Sequence, residues 1–282
     1  MSGAHAALLE GDRLHLNHGP IDLIIDAKGP DRSAAYDAAV AGFEHILPGL
    51  VVELDVLTVA TSGASVTGPV AKRMVDAVFP LAKDRFVTPM AAVAGAVADE
   101  MLQVLSRFDL EKASVNNGGD IAFHLTKGQN FVAASPLGPI HIGADSPARG
   151  LATSGWRGRS QSLGIADAVS VLATTAARAD AAATLIANAV DLPGHPSVTR
   201  VPAHEIEAVP QLNDLLVTVD VGPLTACDRS DALDVGQAYA AKLVESGLIL
   251  GAALMLQEDV RVVGMSGHAP LTPLPRGVME PS

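Results

Sequence analysis

Apolar residues recur along this chain with two different spacings, which predict a mixture of helices and strands. Helices are predicted in five segments. In each of them, apolar residues lie three and four positions apart or small residues form a dense run. These segments are residues 33–47, 70–79, 93–105, 165–189 and 232–246. Pro48 and Pro80 end the first two, because proline cannot continue a helix. The fourth is long enough for one helix or two.

Short apolar runs bounded by Gly, Pro or Asn predict strands. They occupy residues 18–27, 50–59, 113–115, 121–125, 131–134, 140–142, 215–219, 250–256 and 260–263. Hairpin-length links join several of them, which favours an α+β fold with antiparallel sheets and packed helices over a doubly wound parallel sheet. No repeat or linker divides the sequence, so we predict a single domain over residues 1–282 with a loose tail after about residue 266.

Composition narrows the class of protein. Of the 282 residues, 49% are hydrophobic, which supplies a core and excludes intrinsic disorder. Aromatic residues are only 3% and the net charge is −12, so neither base stacking nor attraction to phosphate favours a nucleic-acid partner. The single cysteine, Cys227, excludes an intrachain disulfide and a cysteine-based zinc site. Without a signal-peptide pattern or a membrane-length apolar run, we expect a cytoplasmic protein with no membrane partner.

The stretch SVNNGGDIAFHL places a cluster of turn-forming residues between two apolar segments. Asn117-Gly118 would supply the positive φ angles of a two-residue type I′ hairpin turn. A second glycine is more than that turn needs, and it would let the backbone approach a ligand closely. The candidate ligand-binding residues are Asn116, Asn117, Gly118, Gly119 and Asp120. From these residues alone, a plain turn and a ligand loop both stay open.

Two aspartates lie in the small, apolar stretch at residues 164–190. Asp180 and Thr184 are four residues apart, so on a helix they share a face and could hold a cation or phosphate-bound Mg²⁺. Asp167 is a candidate catalytic residue. The competing interpretation is that each aspartate is the N-cap of an alanine-rich helix. The two interpretations are compatible, since helix starts also collect anions.

A polar segment, LATSGWRGRS, holds the only tryptophan of the chain. Thr153, Ser154 and Gly155 could present hydroxyls and a free N–H to a polar ligand. Arg157 and Arg159 would suit a phosphate or a carboxylate. The alternative is a polar surface loop whose tryptophan is partly packed. The flanking residues lack the nucleophile-elbow pattern, so Ser154 is not assigned as a nucleophile.

Three of these segments, taken in order, resemble motifs of the ApbE superfamily, whose best-known members are FAD:protein FMN transferases. VNNGGDIA resembles its glycine loop, AAVAGAVAD the start of one of its helices, and ADAAAT its magnesium motif. With HGPIDL and SGWRGRSQSLGIADAVSVLA added, the whole chain is most similar to the uncharacterised cytosolic branch of the superfamily.

The resemblance implies an ApbE-like, T-fold-related α+β architecture whose cleft binds FAD and Mg²⁺. The residues it assigns to the dinucleotide are Asn117, Gly118, Gly119 and Asp120. It further implies that Asp180 and Thr184 hold Mg²⁺, with a backbone carbonyl near Ala92 as another ligand. In a transferase, the metal would activate the pyrophosphate toward a threonine hydroxyl of an acceptor protein.

This chain also departs from the superfamily at two motifs. The lysine of the helix start is missing, since Ala94 is followed directly by Gly95. The His-x-x-Asp-Pro motif has no counterpart, and the nearest segment is Gly-Ile-Ala-Asp, which ends at Asp167.

The residues and the resemblance together leave three candidate functions for this chain. The first is an enzyme that uses FAD or a related phosphate-bearing cofactor with Mg²⁺, as a flavin (FMN) transferase or in another step of cofactor biosynthesis. The second is a flavin- or cofactor-binding protein without catalysis. The third is an enzyme on an unrelated small acidic metabolite, using Arg157, Arg159 and Asp167. The expected partners are a small molecule and, for a transferase, an acceptor protein, while a homo-oligomer stays open.

Overall fold

A computed structural model describes residues 3–60, 65–83, 85–135, 138–158, 160–206 and 214–264 of the chain. The strands are β1 (His5–Leu9), β2 (Arg13–His18), β3 (Ile21–Lys28), β4 (Lys112–Asn117), β5 (Asp120–Leu125), β6 (Asn130–Ala133), β7 (Ile140–Gly143), β8 (Gly150–Ser154), β9 (Ala168–Ala173), β10 (Val198–Pro202), β11 (Leu216–Val221), β12 (Gly251–Leu256) and β13 (Asp259–Val263). The α-helices are α1 (Arg32–Phe43), α2 (Ile46–Val52), α3 (Leu54–Leu57), α4 (Pro69–Val78), α5 (Val93–Leu105), α6 (Ala176–Ala189) and α7 (Ala226–Glu245). The predicted loose tail and Arg159 lie outside the described residues.

Nine of the strands form one antiparallel sheet in the order β1-β2-β3-β4-β5-β8-β9-β12-β13. Strand β3 shows why such a sheet forms, because its buried positions alternate and place Leu23 and Ile25 in the core. Two further pairs, β6 with β7 and β10 with β11, form separate two-stranded sheets. The predicted α+β fold with antiparallel sheets and packed helices is confirmed.

One helix layer covers the middle of the large sheet. Helix α5 packs on β4 and β5, and the alanine-rich α6 packs on β8, β9 and α5. Small side chains bring the two helices into backbone contact, since a Cβ atom at Gly95 would lie 2.3 Å from the carbonyl oxygen of Ala176. Elsewhere, the β6–β7 hairpin joins a second buried cluster, in which Phe123 stacks on Phe131 with ring centroids 4.9 Å apart.

Residues 50–59 were predicted as a strand, and this prediction is wrong. They belong mostly to α2 and α3. The leucines at positions 47, 50, 54 and 57 follow helical spacing, and Leu50 and Leu57 are buried. The adjacent β-branched pair Val51-Val52 favours a strand locally, but the leucine spacing and its packing decide the structure.

The prediction that residues 165–189 are helical is also wrong for the first half of that segment. Strand β9 occupies Ala168–Ala173 and is buried on both faces, so it lacks the alternation that identifies a strand. Four strands were not predicted at all: β1, β2, β8 and β10. Thr153 and Ser154, for which a surface loop was one of the two interpretations, form the end of β8. In the described parts of the chain, every helix is too short or too polar to cross a bilayer.

Candidate functional site

The hairpin of β4 and β5 carries the NNGGD motif. Asn117 pairs with Asp120, so the two-residue loop is Gly118-Gly119, with φ angles of 66° and 111°. Positive φ at both loop positions is the requirement of a type I′ turn, which only glycine meets without strain. The prediction that Asn117-Gly118 forms the turn is therefore wrong by one residue, because Asn117 completes β4.

The two asparagines before the glycines have different partners. The Asn116 side-chain oxygen accepts a hydrogen bond from the Gly119 N–H at 2.8 Å and closes the turn. The Asn117 side chain is buried and points toward the start of α5, where its amide donates to the Ala94 carbonyl at 3.1 Å. This bond explains why Asn117 stays in the strand, and it ties the hairpin to α5.

Asp180 lies within the second turn of α6. The N-cap of this helix is Thr175, whose hydroxyl accepts from the Arg178 N–H. The interpretation of Asp180 as that N-cap is therefore wrong. Its carboxylate instead accepts a hydrogen bond from the Gly95 N–H at 3.0 Å, in the first turn of α5. Asp167 is not an N-cap either, because it comes immediately before β9.

The opposite arrangement joins α5 back to α6. The Asp99 carboxylate accepts hydrogen bonds from the Ala176 N–H at 3.0 Å and from the Ala177 N–H at 2.9 Å. Each helix therefore supplies an aspartate that satisfies donors at the start of the other, donors that a helix cannot pair internally. Asp99 was not among the predicted site residues, although a lone carboxylate among the small residues of AAVAGAVAD is a signal for such a contact.

The surroundings of Asp180 and Asp99 disfavour the ionised form of both carboxyl groups. Burial raises the pKa of Asp180 well above its usual range, the negative charges of Asp120 and Asp99 add to that rise, and the N–H groups of Gly95 and Ala94 oppose it. Part of the Asp180 side chain is accessible, but protein surrounds most of the carboxylate. Burial likewise raises the pKa of Asp99, against the N–H groups of Ala177 and Ala176. Three acidic side chains thus meet where α5, α6 and the hairpin come together.

A cavity of about 590 Å³ opens beside this junction. Its polar end includes Asn117, Gly118, Asp120, Thr153, Ser154 and Ser160. Its apolar wall includes Leu50, Val51, Leu54, Met90, Val93 and Val97. Among the described residues that line it, Asp120 is the only ionisable one.

Hydrogen bonds hold the polar end together. The Thr153 N–H donates to the Asp120 carboxylate at 3.3 Å, which joins the end of β8 to the hairpin. The Thr153 and Ser170 hydroxyls are 2.8 Å apart and connect β8 to β9. These contacts orient Asp120 and the neighbouring hydroxyls around one opening.

The predicted site residues do not all line this cavity. Asn117, Gly118, Asp120, Thr153 and Ser154 do, whereas Asn116, Gly119, Gly155, Asp167, Asp180, Thr184 and Ala92 do not. Asp180 is nevertheless close enough for the Asp120 charge to raise its pKa. The apolar wall from α2 and α3 was missed, because those residues were assigned to a strand.

Asp167 is buried outside the cavity lining. Its carboxylate accepts hydrogen bonds from the Trp156 indole at 3.0 Å and the Arg157 guanidinium at 2.6 Å. The Gln257 backbone N–H donates to the same carboxylate. The Arg157 guanidinium also lies 4.6 Å from the centre of the Trp156 ring. Asp167 therefore anchors the segment after β8 to the turn between β12 and β13, while a catalytic role for it stays a prediction.

Comparison with known proteins identifies the relatives of this chain. A sequence profile of the family described as "AbpE bacteria" matches residues 5–262. A UPF0280 protein of Methanothrix thermoacetophila is 36% identical over 136 residues, which cover 43% of this chain and 52% of the relative. A UPF0280 protein of Methanobrevibacter smithii is 38% identical over 109 residues, which cover 36% of this chain and 46% of the relative. The chain spans about half the length of these curated relatives.

Two solved structures align with nearly the whole chain at low identity. The apo form of the Pseudomonas stutzeri flavinyl transferase ApbE has 13% identity and a TM-score of 0.43, covering 92% of this chain and 93% of its own. A mutant of the flavin transferase ApbE from Vibrio cholerae has 12% identity and a TM-score of 0.46, covering 93% of this chain and 97% of its own. The resemblance inferred from the three motifs is confirmed by the family match. Because that match runs from residue 5 to residue 262, this chain belongs to the family described as AbpE bacteria.

Proposed function

We propose that this chain binds FAD or a related phosphate-bearing cofactor with Mg²⁺ and transfers the FMN portion to an acceptor protein. One observation carries the proposal. The hairpin residues Asn117, Gly118 and Asp120 line a cavity, and Asp180 is close enough for Asp120 to raise its pKa. This proximity supports a shared site for Asp120, which the ApbE resemblance assigns to the dinucleotide, and Asp180, which it assigns to the metal, about sixty positions later in the sequence.

The charges at this junction are compatible with a divalent cation. Asp120 and Asp180 supply hard oxygen ligands, and their mutual repulsion raises the pKa of Asp180 beyond the effect of burial. In the described part of the chain, no group of three or more His, Cys, Asp or Glu side chains could hold a metal. A two-carboxylate site suits Mg²⁺, which commonly takes its other ligands from water and substrate phosphates. Asp120 and Asp180 would hold the ion, with Thr184 as a further candidate.

The proposed reaction is a phosphoryl-group transfer from FAD. The hydroxyl oxygen of an acceptor threonine forms a bond to the phosphorus of the FMN portion, while the bridging P–O bond to the AMP portion breaks. The products are FMN joined to the protein by a phosphodiester, and free AMP. A bound cation would neutralise the pyrophosphate. The hydroxyl proton passes to solvent water, because Asp120, the ionisable residue among the described cavity lining, is assigned to the cation.

The test is to incubate the purified chain with FAD, MgCl₂ and a panel of candidate acceptor proteins. AMP release is measured together with flavin fluorescence of the proteins after denaturing electrophoresis. Transfer predicts equal amounts of AMP and labelled acceptor, and loss of both in Asp180→Asn. AMP without labelled protein would indicate hydrolysis of the pyrophosphate instead. The absence of both products would refute transfer.

A second candidate function is cofactor binding without catalysis. The observation that favours it is the missing superfamily lysine, since Ala94 and Gly95 stand at the helix start, and Ala94 lines the cavity. This function predicts saturable FAD binding with no AMP release over many hours. The third function, on a small acidic metabolite, gains no support from the described residues. Arg157 is paired with Asp167, neither lines the cavity, and Arg159 lies outside the described residues.

A further inference from the structure

Strand β1 forms one outer edge of the nine-stranded sheet. Among the described residues its backbone pairs with β2 alone, so the N–H and C=O groups on its other side face no strand. Such an edge can pair with a strand from another chain, and natural edges commonly block this with lysine, proline or a bulge. The five residues of β1, HAALL, contain none of these blocking features. The β1 edge is therefore open to a further strand.

The side chains of β1 extend an apolar row of the core beyond its cover. Residues opposite each other in an antiparallel ladder share a face, so Leu8, Leu14 and Ile25 form one row across β1, β2 and β3. The exposed fraction along this row rises from 0% at Ile25 and 5% at Leu14 to 65% at Leu8. In the neighbouring row, Leu16 is buried, whereas Ala6 opposite it is exposed. The described structure thus covers this face as far as β2 and leaves its apolar continuation on β1 open to water.

The opposite edge of the sheet, β13, is blocked by charge. Two of its five residues are charged, and both pair with side chains of α7. Asp259 accepts a hydrogen bond from Arg229 at 2.8 Å, and Arg261 lies 3.6 Å from Asp234. Charged side chains on an edge oppose pairing with another strand, because the new strand would remove them from water. Of these two edges, β1 is the one suited to association.

We propose that β1 is the interface of a homodimer, in which it pairs antiparallel with β1 of a second copy of this chain. The two-fold axis lies at Ala7, which faces Ala7 of the other copy. In this register, Leu8 of each copy faces Ala6 of the other, and the open end of the apolar row is covered. His5 faces Leu9, so no two like charges stand directly opposite each other. The two nine-stranded sheets become one continuous sheet.

A second copy is the occupant that this strand fits. An antiparallel pair of identical strands is symmetric, so the same residues that leave the edge open also cover it, as a two-fold interface requires. The strand contains none of the carboxylates that give the chain its net charge of −12. Repulsion between the rest of the two acidic surfaces still opposes association, and salt screens that repulsion. Because this interface is small, we expect a dissociation constant of about 1–100 µM.

The first experiment is sedimentation velocity of the full chain from about 1 µM to about 300 µM. We expect the measured mass to rise with concentration from that of one chain, 28.8 kDa, toward twice that value. Leu8→Lys should weaken the dimer by about tenfold or more, because it removes the apolar contact and brings two ammonium groups together near the axis. The matched control is Val262→Lys, since Val262 is 45% exposed on the opposite edge. It should leave the dissociation constant unchanged within about twofold.

Two results of this experiment would overturn the inference. One is a wild-type chain that keeps the mass of a single copy at every concentration. The other is a dimer that Val262→Lys weakens as much as Leu8→Lys does. Both substitutions lie at exposed positions, and far-ultraviolet circular dichroism checks that each variant is folded.

Hydrogen exchange locates the interface without any substitution. Peptides that contain β1 should exchange their amide hydrogens more slowly at about 200 µM than at about 1 µM, whereas peptides that contain β13 should not change. Raising NaCl from about 50 mM to about 500 mM should tighten the dimer, because it screens the repulsion between acidic surfaces. Protection of β13 in place of β1, or a dimer weakened by salt, would contradict the proposed interface. AMP release from FAD by a chain that stays monomeric would remove this inference and leave the transferase function.

Discussion

The Asp180 carboxylate accepts a hydrogen bond from the backbone N–H of Gly95 at 3.0 Å, which joins the interior of α6 to the first turn of α5. Asp99 makes the reciprocal contact from α5 to the start of α6. The contact requires a glycine, because any side chain at position 95 would collide with the Ala176 carbonyl. The acidic end of the candidate site is thus built on a close helix pair held by backbone donors.

Gly95→Ala should destabilise the protein by about 1–3 kcal/mol, because the added methyl would force α5 and α6 apart. The measurement is the midpoint of urea unfolding. Gly49→Ala is the matched control, since Gly49 lies within α2 and a Cβ there meets nothing within 4 Å. Alanine is the better helix former, so the control should be unchanged or stabilised by up to about 1 kcal/mol. Equal destabilisation of both variants would contradict the close-contact explanation.

Asp180→Asn should stabilise the metal-free protein at neutral pH while abolishing turnover. Burial and neighbouring charges raise the pKa of Asp180 in the folded state. The Asp180 side chain therefore contributes to the free energy of unfolding at low pH, where it is protonated. That contribution is lost as the pH rises through the raised folded value. The asparagine variant does not titrate, so its advantage should grow from about pH 4 upward.

The measurement is urea unfolding across this pH range in EDTA. Exposed Asp37 in α1 provides the control, Asp37→Asn, for which we expect a small change without this trend. A constant difference between Asp180→Asn and wild type at all pH values would contradict the electrostatic account.

Added MgCl₂ should raise the melting temperature of the wild type, because a ligand bound only to the folded state stabilises it. The raised pKa of Asp180 adds a pH dependence: a proton must leave before the cation binds, so the shift should increase as the pH rises. Differential scanning fluorimetry of wild type and Asp180→Asn at several pH values would measure it. A shift of equal size in the variant would place the cation elsewhere.

Asp99→Ala should cost about 1–3 kcal/mol, because it leaves the Ala176 and Ala177 N–H groups without their acceptor. Asp99→Asn retains one acceptor oxygen and should cost less. Asp76→Ala, at an exposed position of α4, should change stability by less than about 0.5 kcal/mol. Guanidinium unfolding would rank the three variants, and a ranking with Asp76→Ala as the most destabilised would refute the capping role.

Asp167→Asn should lower the stability of the ligand-free protein by about 1–3 kcal/mol, since a buried carboxylate loses its charge opposite Arg157 and Trp156. A double-mutant cycle with Arg157→Gln measures the coupling directly. An anchoring role predicts substantial coupling between the two substitutions. It also predicts that the turnover number of folded Asp167→Asn stays close to that of the wild type. A turnover number that stays near zero in a fully folded variant would favour the catalytic assignment.

Local sequence patterns predicted the parts of the fold that local geometry determines. Helix α5 was predicted with its observed bounds, because its apolar residues repeat with helical spacing and pack on one sheet face. The β4–β5 hairpin was also predicted, and that prediction was wrong only in the register of the turn. That register depends on the bond between Asn117 and Ala94, 23 residues away. Strand β9 was missed because burial on both faces removes the periodicity on which such a prediction depends.

The sequence alone determined that this is an acidic, alanine-rich α+β chain, that a glycine loop lies between two strands, and that Thr184 follows Asp180 at helical spacing. Its ordered motifs also identified the family. Only the tertiary structure decided that Asp180 reaches Gly95 across 85 positions, that Asp99 returns the contact, and that residues of α2 and α3 line the same cavity as the hairpin. The physical reason is that local propensity acts over a few residues, whereas the pKa of a carboxylate and the shape of a cavity depend on every segment packed around them.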